Sequence, residues 1–180
     1  IIDLVHSGSE LVRVTVMDNS NAEAVPLIKK ALLAKGCDVP LIGDFHFNGH
    51  LLLERFPACA EALDKFRINP GNVGKGEKHD ANFKSMIEKA IAFGKPIRIG
   101  VNAGSIDQRI LTGLMDENTR KDEAEQREAD DILVDAMVAS ALESASQAES
   151  YGLSADKIVL SAKVSNVPQL IQAYKELAER

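Results

Sequence analysis

Short runs dense in aliphatic and β-branched residues alternate along this chain with longer stretches in which apolar side chains recur every three or four positions. The runs fall at 11–17, 40–45, 65–69, 96–102 and 157–163, and the periodic stretches at 21–35, 51–64, 81–93, 123–151 and 167–180. That alternation predicts parallel β-strands joined by crossover helices, an α/β fold. Gly36 and Gly152 stand where helices should stop, and Gly94 precedes the run opened by Pro96. Asn19 and Ser20 are cap candidates for the stretch at 21–35, and Asp80 for that at 81–93. Residues 1–7, closed by Gly8, read as the tail of a helix. The charged stretch 116–131, with its alternating signs, reads as the solvated start of a long surface helix, a linker being the second choice.

Spacing narrows the fold. Arg13 and Asp44 are 31 positions apart, Asp44 and Arg67 23, Arg67 and Arg98 31, and Arg98 and Lys163 65, which is two units or one with an enlarged connection. A period near 30 is what one module occupies in a (β/α)8 barrel of about 250 residues. With 180 residues the expectation is a single domain over 1–180: a partial (β/α)8 TIM-type barrel of five to six modules, its first and last strands outside the chain.

Composition removes several classes of function. The 27 acidic and 21 basic residues give a net charge of −6, against a general nucleic-acid binder, and 4% aromatics with no Trp leave no stacking platform for single strands. There is no run of eighteen apolar residues and no signal segment, so neither a membrane span nor export is expected. Cys37 and Cys59 make neither a close metal pair nor a disulfide framework, which suits a reducing cytoplasm.

Three strands repeat one anomaly: Val12-Arg13-Val14, Phe66-Arg67-Ile68 and Ile97-Arg98-Ile99 each set an arginine between two large apolar residues. Neighbours in a strand point to opposite faces, so if the apolar pair packs under the helices the arginine faces the barrel lumen. Parity adds Asn69 and Asn102 to the arginine face, and Asp44, His46 and Lys163 lie at or just past strand carboxyl ends, where barrel active sites form. Four cations, one acid and one histidine leave a positive surplus that a multiply anionic small ligand resolves, and guanidinium forks suit phosphate oxygens. The competing reading pairs each arginine with a carboxylate from another strand, and His46 is equally a packed, hydrogen-bonded histidine. Asn69-Pro70-Gly71-Asn72-Val73-Gly74 offers backbone N–H groups to a phosphate; Asn102-Ala103-Gly104-Ser105 does the same or is a plain turn. Lys75-Gly76-Glu77-Lys78-His79-Asp80 reads as an exposed loop, with a mobile lid as the alternative. His46 and His50 have i, i+4 spacing, but Gly49 argues against a metal-binding helix, and no metal site is expected.

These segments resemble the N-terminal barrel of the 4-hydroxy-3-methylbut-2-enyl diphosphate synthases, iron–sulfur enzymes of the non-mevalonate isoprenoid pathway. The likeness is carried by Leu11-Val12-Arg13-Val14-Thr15-Val16, by Gly43-Asp44-Phe45-His46-Phe47-Asn48, by Arg67-Ile68-Asn69-Pro70-Gly71-Asn72, by Ile97-Arg98-Ile99-Gly100-Val101-Asn102 and by Leu160-Ser161-Ala162-Lys163. It implies reduction of 2-C-methyl-D-erythritol 2,4-cyclodiphosphate to the linear allylic diphosphate by a [4Fe-4S] cluster fed by flavodoxin or ferredoxin, in a homodimer. It also implies that Arg13, Arg67, Arg98 and Lys163 bind the diphosphate, with Asn69, Asn102 and Asp44 as further substrate contacts and His46 as a candidate. In that family a separate C-terminal domain holds the cluster through three cysteines and a glutamate. No counterpart of that domain is found here, so this chain by itself is expected to bind no cluster and to be inactive. The family often has Trp where Ala103 stands. Two other readings remain open: a dihydropteroate-synthase-like barrel, which also recognises phosphate through mouth Arg, Asn and Lys residues, and a non-catalytic module that binds a phosphate ligand.

Overall fold

The computed structural model describes residues 1–73 and 77–180, and the side chains of all of these except 77–79. Five strands, β1 (Val12–Val16), β2 (Leu41–Phe45), β3 (Lys65–Ile68), β4 (Ile97–Asn102) and β5 (Ile158–Lys163), form one sheet in which every adjacent pair is parallel. Their spatial order is their chain order, with β1 and β5 at the two edges. This is the partial barrel architecture that the spacing predicts. The 65-residue interval between Arg98 and Lys163 is one enlarged connection, because β4 and β5 are direct neighbours with Asn102 opposite Lys163.

The helices are α1 (Ile2–His6), α2 (Asn19–Ala34), α3 (Gly49–Arg55), α4 (Pro57–Ala62), α5 (Glu77–Ala92), α6 (Gln108–Thr119), α7 (Ala129–Ser150) and α8 (Val167–Glu179). Residues of one strand parity pack beneath them: Leu41, Phe45, Phe66, Ile68, Ile97 and Ile99 are all essentially inaccessible to solvent. Phe45 meets Phe66 edge to face at 5.8 Å, and a side chain on Gly43 would collide with Leu63, so the glycine makes the notch that Leu63 fills. Gly8, Gly36, Gly94 and Gly152 end their helices with φ between +64° and +98°, a region open to glycine at little steric cost.

Several boundaries differ from expectation, each for a local reason. The periodic stretch 51–64 is two helices, because Pro57 drives Phe56 out of the helical region (φ −122°, ψ 71°) and then starts α4 at its first position. The cap of α2 is Asp18, one residue before the predicted pair, whose carboxylate accepts from the Asn21 N–H at 2.8 Å. Asp80 does not cap α5 but lies within it, and Glu77–Asp80 form its first turn, not a loop; positions 75 and 76 of that predicted loop lie outside the described residues.

The charged stretch 116–131 is neither one helix start nor a linker. It contains the end of α6, a short 3-10 turn at Glu123–Glu125 and the start of α7. Asn118 decides this: its amide donates to the Arg127 carbonyl and accepts from the Arg127 N–H, both at 2.9 Å, satisfying outside any helix the two backbone groups a continuing helix would have used. Helix α6 has no counterpart in the sequence reading, although Asp107 caps it and Ile110, Leu111 and Leu114 pack on the core at helical spacing.

Candidate functional site

The second strand parity carries polar residues, as the flanking apolar pairs require. Strand register places Asp44, Arg67 and Arg98 side by side on β2, β3 and β4 in a single row across the sheet. Two rungs further toward the carboxyl ends, Asn102 stands opposite Lys163. Arg13 lies one rung below the Asp44 row on β1, and its guanidinium still reaches across the strands to Asp44. The side chains picked out by spacing and parity thus share one face of the sheet but not one end: Asn102 and Lys163 are the last residues of their strands, whereas Arg13 and Arg98 are the second residues of theirs, so the expected place at the carboxyl ends does not hold for these two arginines.

One carboxylate serves two arginines. Asp44 accepts from Arg67 Nη1 at 2.9 Å through one oxygen and meets Arg13 Nε at 3.4 Å through the other. Asp44 is 6% exposed and the Arg67 side chain 13%, whereas the Arg13 side chain is 55% exposed, so the first pair is enclosed and the second is open to water. Arg98 makes no ion pair or hydrogen bond among the described residues. Burial is the first cause lowering its pKa, and repulsion from Arg67 and then Arg13 pushes the same way, partly offset by Tyr174 and Asp44. Lys163 is exposed and, among the described residues, likewise without an acidic partner. Among the described residues the four cations of this face have one carboxylate, a surplus of three positive charges in a protein that is negative overall. Pairing each arginine with its own carboxylate, the competing reading, does not occur among the described residues.

The asparagines hold the turns beyond the strands. Asn69 is 3% exposed; its Oδ1 accepts from the Gly71 N–H at 3.2 Å and its Nδ2 donates to Ser105 Oγ at 3.0 Å, tying the turn after β3 to the turn after β4. Asn102 Oδ1 accepts from the Gly104 N–H at 3.2 Å. Both turns are single 3-10 turns, Pro70–Asn72 and Ala103–Ser105. The N–H groups of Gly71, Asn72 and Val73, expected to offer themselves to a phosphate, are consumed by Asn69 Oδ1, the Asn69 carbonyl and the Pro70 carbonyl. The two turns also touch so closely that any side chain on Gly71 would overlap the Ser105 carbonyl.

His46 follows β2, and its buried Nδ1 has no partner among the described residues; the same holds for His50 Nδ1, at the start of α3. Burial lowers the His50 pKa, with Glu54 acting weakly in the opposite direction. Gly100 is the residue of this face that sequence reasoning passed over. The Arg67 guanidinium lies directly across it, Nη2 3.4 Å from its carbonyl oxygen.

A [4Fe-4S] cluster does not fit this chain. It contains two cysteines, and among the described residues no group of three or more His, Cys, Asp and Glu side chains is arranged to hold a metal. Cys59 is buried within α4, where desolvation pushes its thiol up to about 11, and Cys37 precedes β2, at the end of the sheet opposite the arginine row. No helix among the described residues is long and apolar enough to cross a membrane.

A separate groove of about 770 Å³ opens outside the sheet between the turns and helices α6 and α7. Its walls carry Asp80, Asp107 and Glu143 against one cation among the described residues, Arg109, which is paired with Glu143 at 3.2 Å. Its charge is opposite to that of the arginine face of the sheet. With this geometry in view, the comparison with known proteins is direct: the family model for the GcpE TIM-barrel domain matches residues 1–180.

Proposed function

The chain belongs to the GcpE TIM-barrel family, an isoprenoid-biosynthesis oxidoreductase family with an iron–sulfur centre, and on that premise we propose that it is the substrate-binding barrel domain of the reductase acting on 2-C-methyl-D-erythritol 2,4-cyclodiphosphate. The product of that reaction is 4-hydroxy-3-methylbut-2-enyl diphosphate. In this reading residues 1–180 bind and orient the diphosphate, the cluster and its ligands lie outside residues 1–180, flavodoxin or ferredoxin donates the electrons, and the whole assembles as a homodimer. Family membership favours this over a dihydropteroate-synthase-like barrel or a non-catalytic phosphate binder.

The observation that carries the reading is the Arg13–Asp44–Arg67 group beside the unpaired Arg98. Arg98 is partly buried with no acid paired to it among the described residues, a costly condition that an anionic ligand relieves. A diphosphate supplies several anionic oxygens at once, and planar guanidinium groups on β1, β3 and β4 present donors to it in forks. Arg98 makes the main charged contact, Arg67 and Arg13 contribute the donors not spent on Asp44, and Lys163 closes the upper edge beside Asn102. Asn69 acts by holding the turn after β3 to Ser105, and His46 lends its unpartnered Nδ1 at the mouth.

The test is calorimetric titration of the cyclodiphosphate into the protein and into the Arg98→Ala variant. Binding that weakens roughly tenfold or more in the variant, the loss of one charge-assisted hydrogen bond, supports the assignment. No heat of binding with the native protein, or equal affinity in both, refutes it.

A further inference from the structure

Resting on the diphosphate reading, we infer that Gly100 is a positioning residue: the missing side chain at this point of β4 leaves the space in which the Nε–Nη2 edge of the Arg67 guanidinium is held in the anion site. Gly100 stands opposite Ser161 and two residues after Arg98, hence on the arginine face. Its backbone does not lie in the left-handed region, so glycine is not required there for conformational freedom. The requirement is one of space. A Cβ built on Gly100 would lie 2.8 Å from Arg67 Nε, 3.2 Å from Nη2 and 3.4 Å from Cζ, and these are its three nearest neighbours. The guanidinium thus occupies the volume a side chain would take, with its Nε–Nη2 edge turned toward the β4 backbone.

The contacts on either side fix that pose. Nη1 donates to Asp44 Oδ1 at 2.9 Å and Nη2 to the Gly100 carbonyl at 3.4 Å, so the group is bracketed by β2 and β4. Nε is left buried with no partner among the described residues. A charged donor in that condition carries the full cost of desolvation until an acceptor arrives, and an anionic oxygen of the ligand is such an acceptor. Glycine within a strand weakens it, and a close approach by another group is a recognised reason to keep one there. Here the approaching group is the arginine. Gly100 touches no reacting atom in this scheme; it acts through Arg67.

The experiment is a double-mutant cycle with inorganic pyrophosphate as probe, comparing native protein, Gly100→Ala, Arg67→Ala and the double variant by calorimetry and thermal melting. Gly113→Ala is the control, since a Cβ there meets nothing within 4 Å. Gly100→Ala weakens pyrophosphate binding roughly tenfold or more, while Gly113→Ala leaves it unchanged. In the Arg67→Ala background the Gly100→Ala change alters neither affinity nor melting temperature, because the atom it would strike is gone. Additive losses in the double variant overturn the inference, since a general strand defect does not depend on Arg67. If Gly100→Ala alone fails to fold, folding of the double variant like Arg67→Ala supports the inference and its failure to fold refutes it. Native protein that ignores pyrophosphate removes the diphosphate reading and this inference with it. Native protein that binds, beside a Gly100→Ala variant that binds as tightly, removes only the role of Gly100.

Discussion

Asp44→Asn isolates the charge that holds the arginine row. Asparagine keeps the shape of the side chain and one acceptor oxygen, so what is lost is the negative charge shared by Arg67 at 2.9 Å and Arg13 at 3.4 Å. Two unit charges about 4 Å apart at an effective dielectric constant of about 20 attract by about 4 kcal/mol. Desolvation of the enclosed Asp44–Arg67 pair offsets much of that, leaving about 1.5–3 kcal/mol for the charge-assisted bond. Arg13, with more than half of its side chain in water, adds at most about 1 kcal/mol. The expected loss is about 2–3 kcal/mol, which in a domain of this size lowers the melting temperature by roughly 5–10 °C. A second effect has the opposite sign. The variant has one more uncompensated positive charge on the arginine face, so saturating pyrophosphate raises its melting temperature by more than it raises that of the native protein. Differential scanning calorimetry with and without pyrophosphate reads both. A variant that melts within about a degree of native, or whose pyrophosphate shift is smaller than the native one, refutes the assignment of Asp44 as the shared counter-charge.

Three further outcomes follow from the same geometry. Arg98→Met removes a partly buried cation with no acid beside it, and is expected to stabilise the ligand-free protein by about 1 kcal/mol while abolishing the pyrophosphate response; urea unfolding with and without pyrophosphate checks both halves. His50 is held below its ordinary 6.5 by burial, so below that pH the unfolded chain binds the extra proton more readily than the fold does. Its contribution is therefore complete above about 6.5 and is lost as pH falls through the lower folded value, and His50→Gln should flatten that segment of a stability-against-pH curve. Cys59, its thiol raised to about 11 by burial, should resist a thiol reagent at pH 8 in the folded protein, whereas the more accessible Cys37 reacts; one equivalent of modification before unfolding and two after is the expected count.

The parity of each strand and the spacing between strands are properties of the chain read in order. From them alone Arg13, Arg67 and Arg98 could be assigned to one face and the five strands to one parallel sheet, because a period of two and a module near thirty residues need no knowledge of what lies across the sheet; how far along its strand each arginine stands was not legible, and Arg13 and Arg98 lie second in theirs. Helix limits at 57 and 118 were harder to read, since one depends on a proline acting on the residue before it and the other on an asparagine closing a loop onto Arg127 nine positions away. What only the tertiary structure decided is how the charges are shared: Asp44 is 31 positions from Arg13 and 23 from Arg67, and nothing local says that it will serve both and leave Arg98 without a paired acid among the described residues. The same holds for Gly100, an ordinary strand glycine in sequence that becomes the bed of a guanidinium 33 residues earlier only when β3 and β4 lie side by side. Periodicity determines which way a side chain points; which partner it finds there is set by register, and register exists only in the assembled sheet.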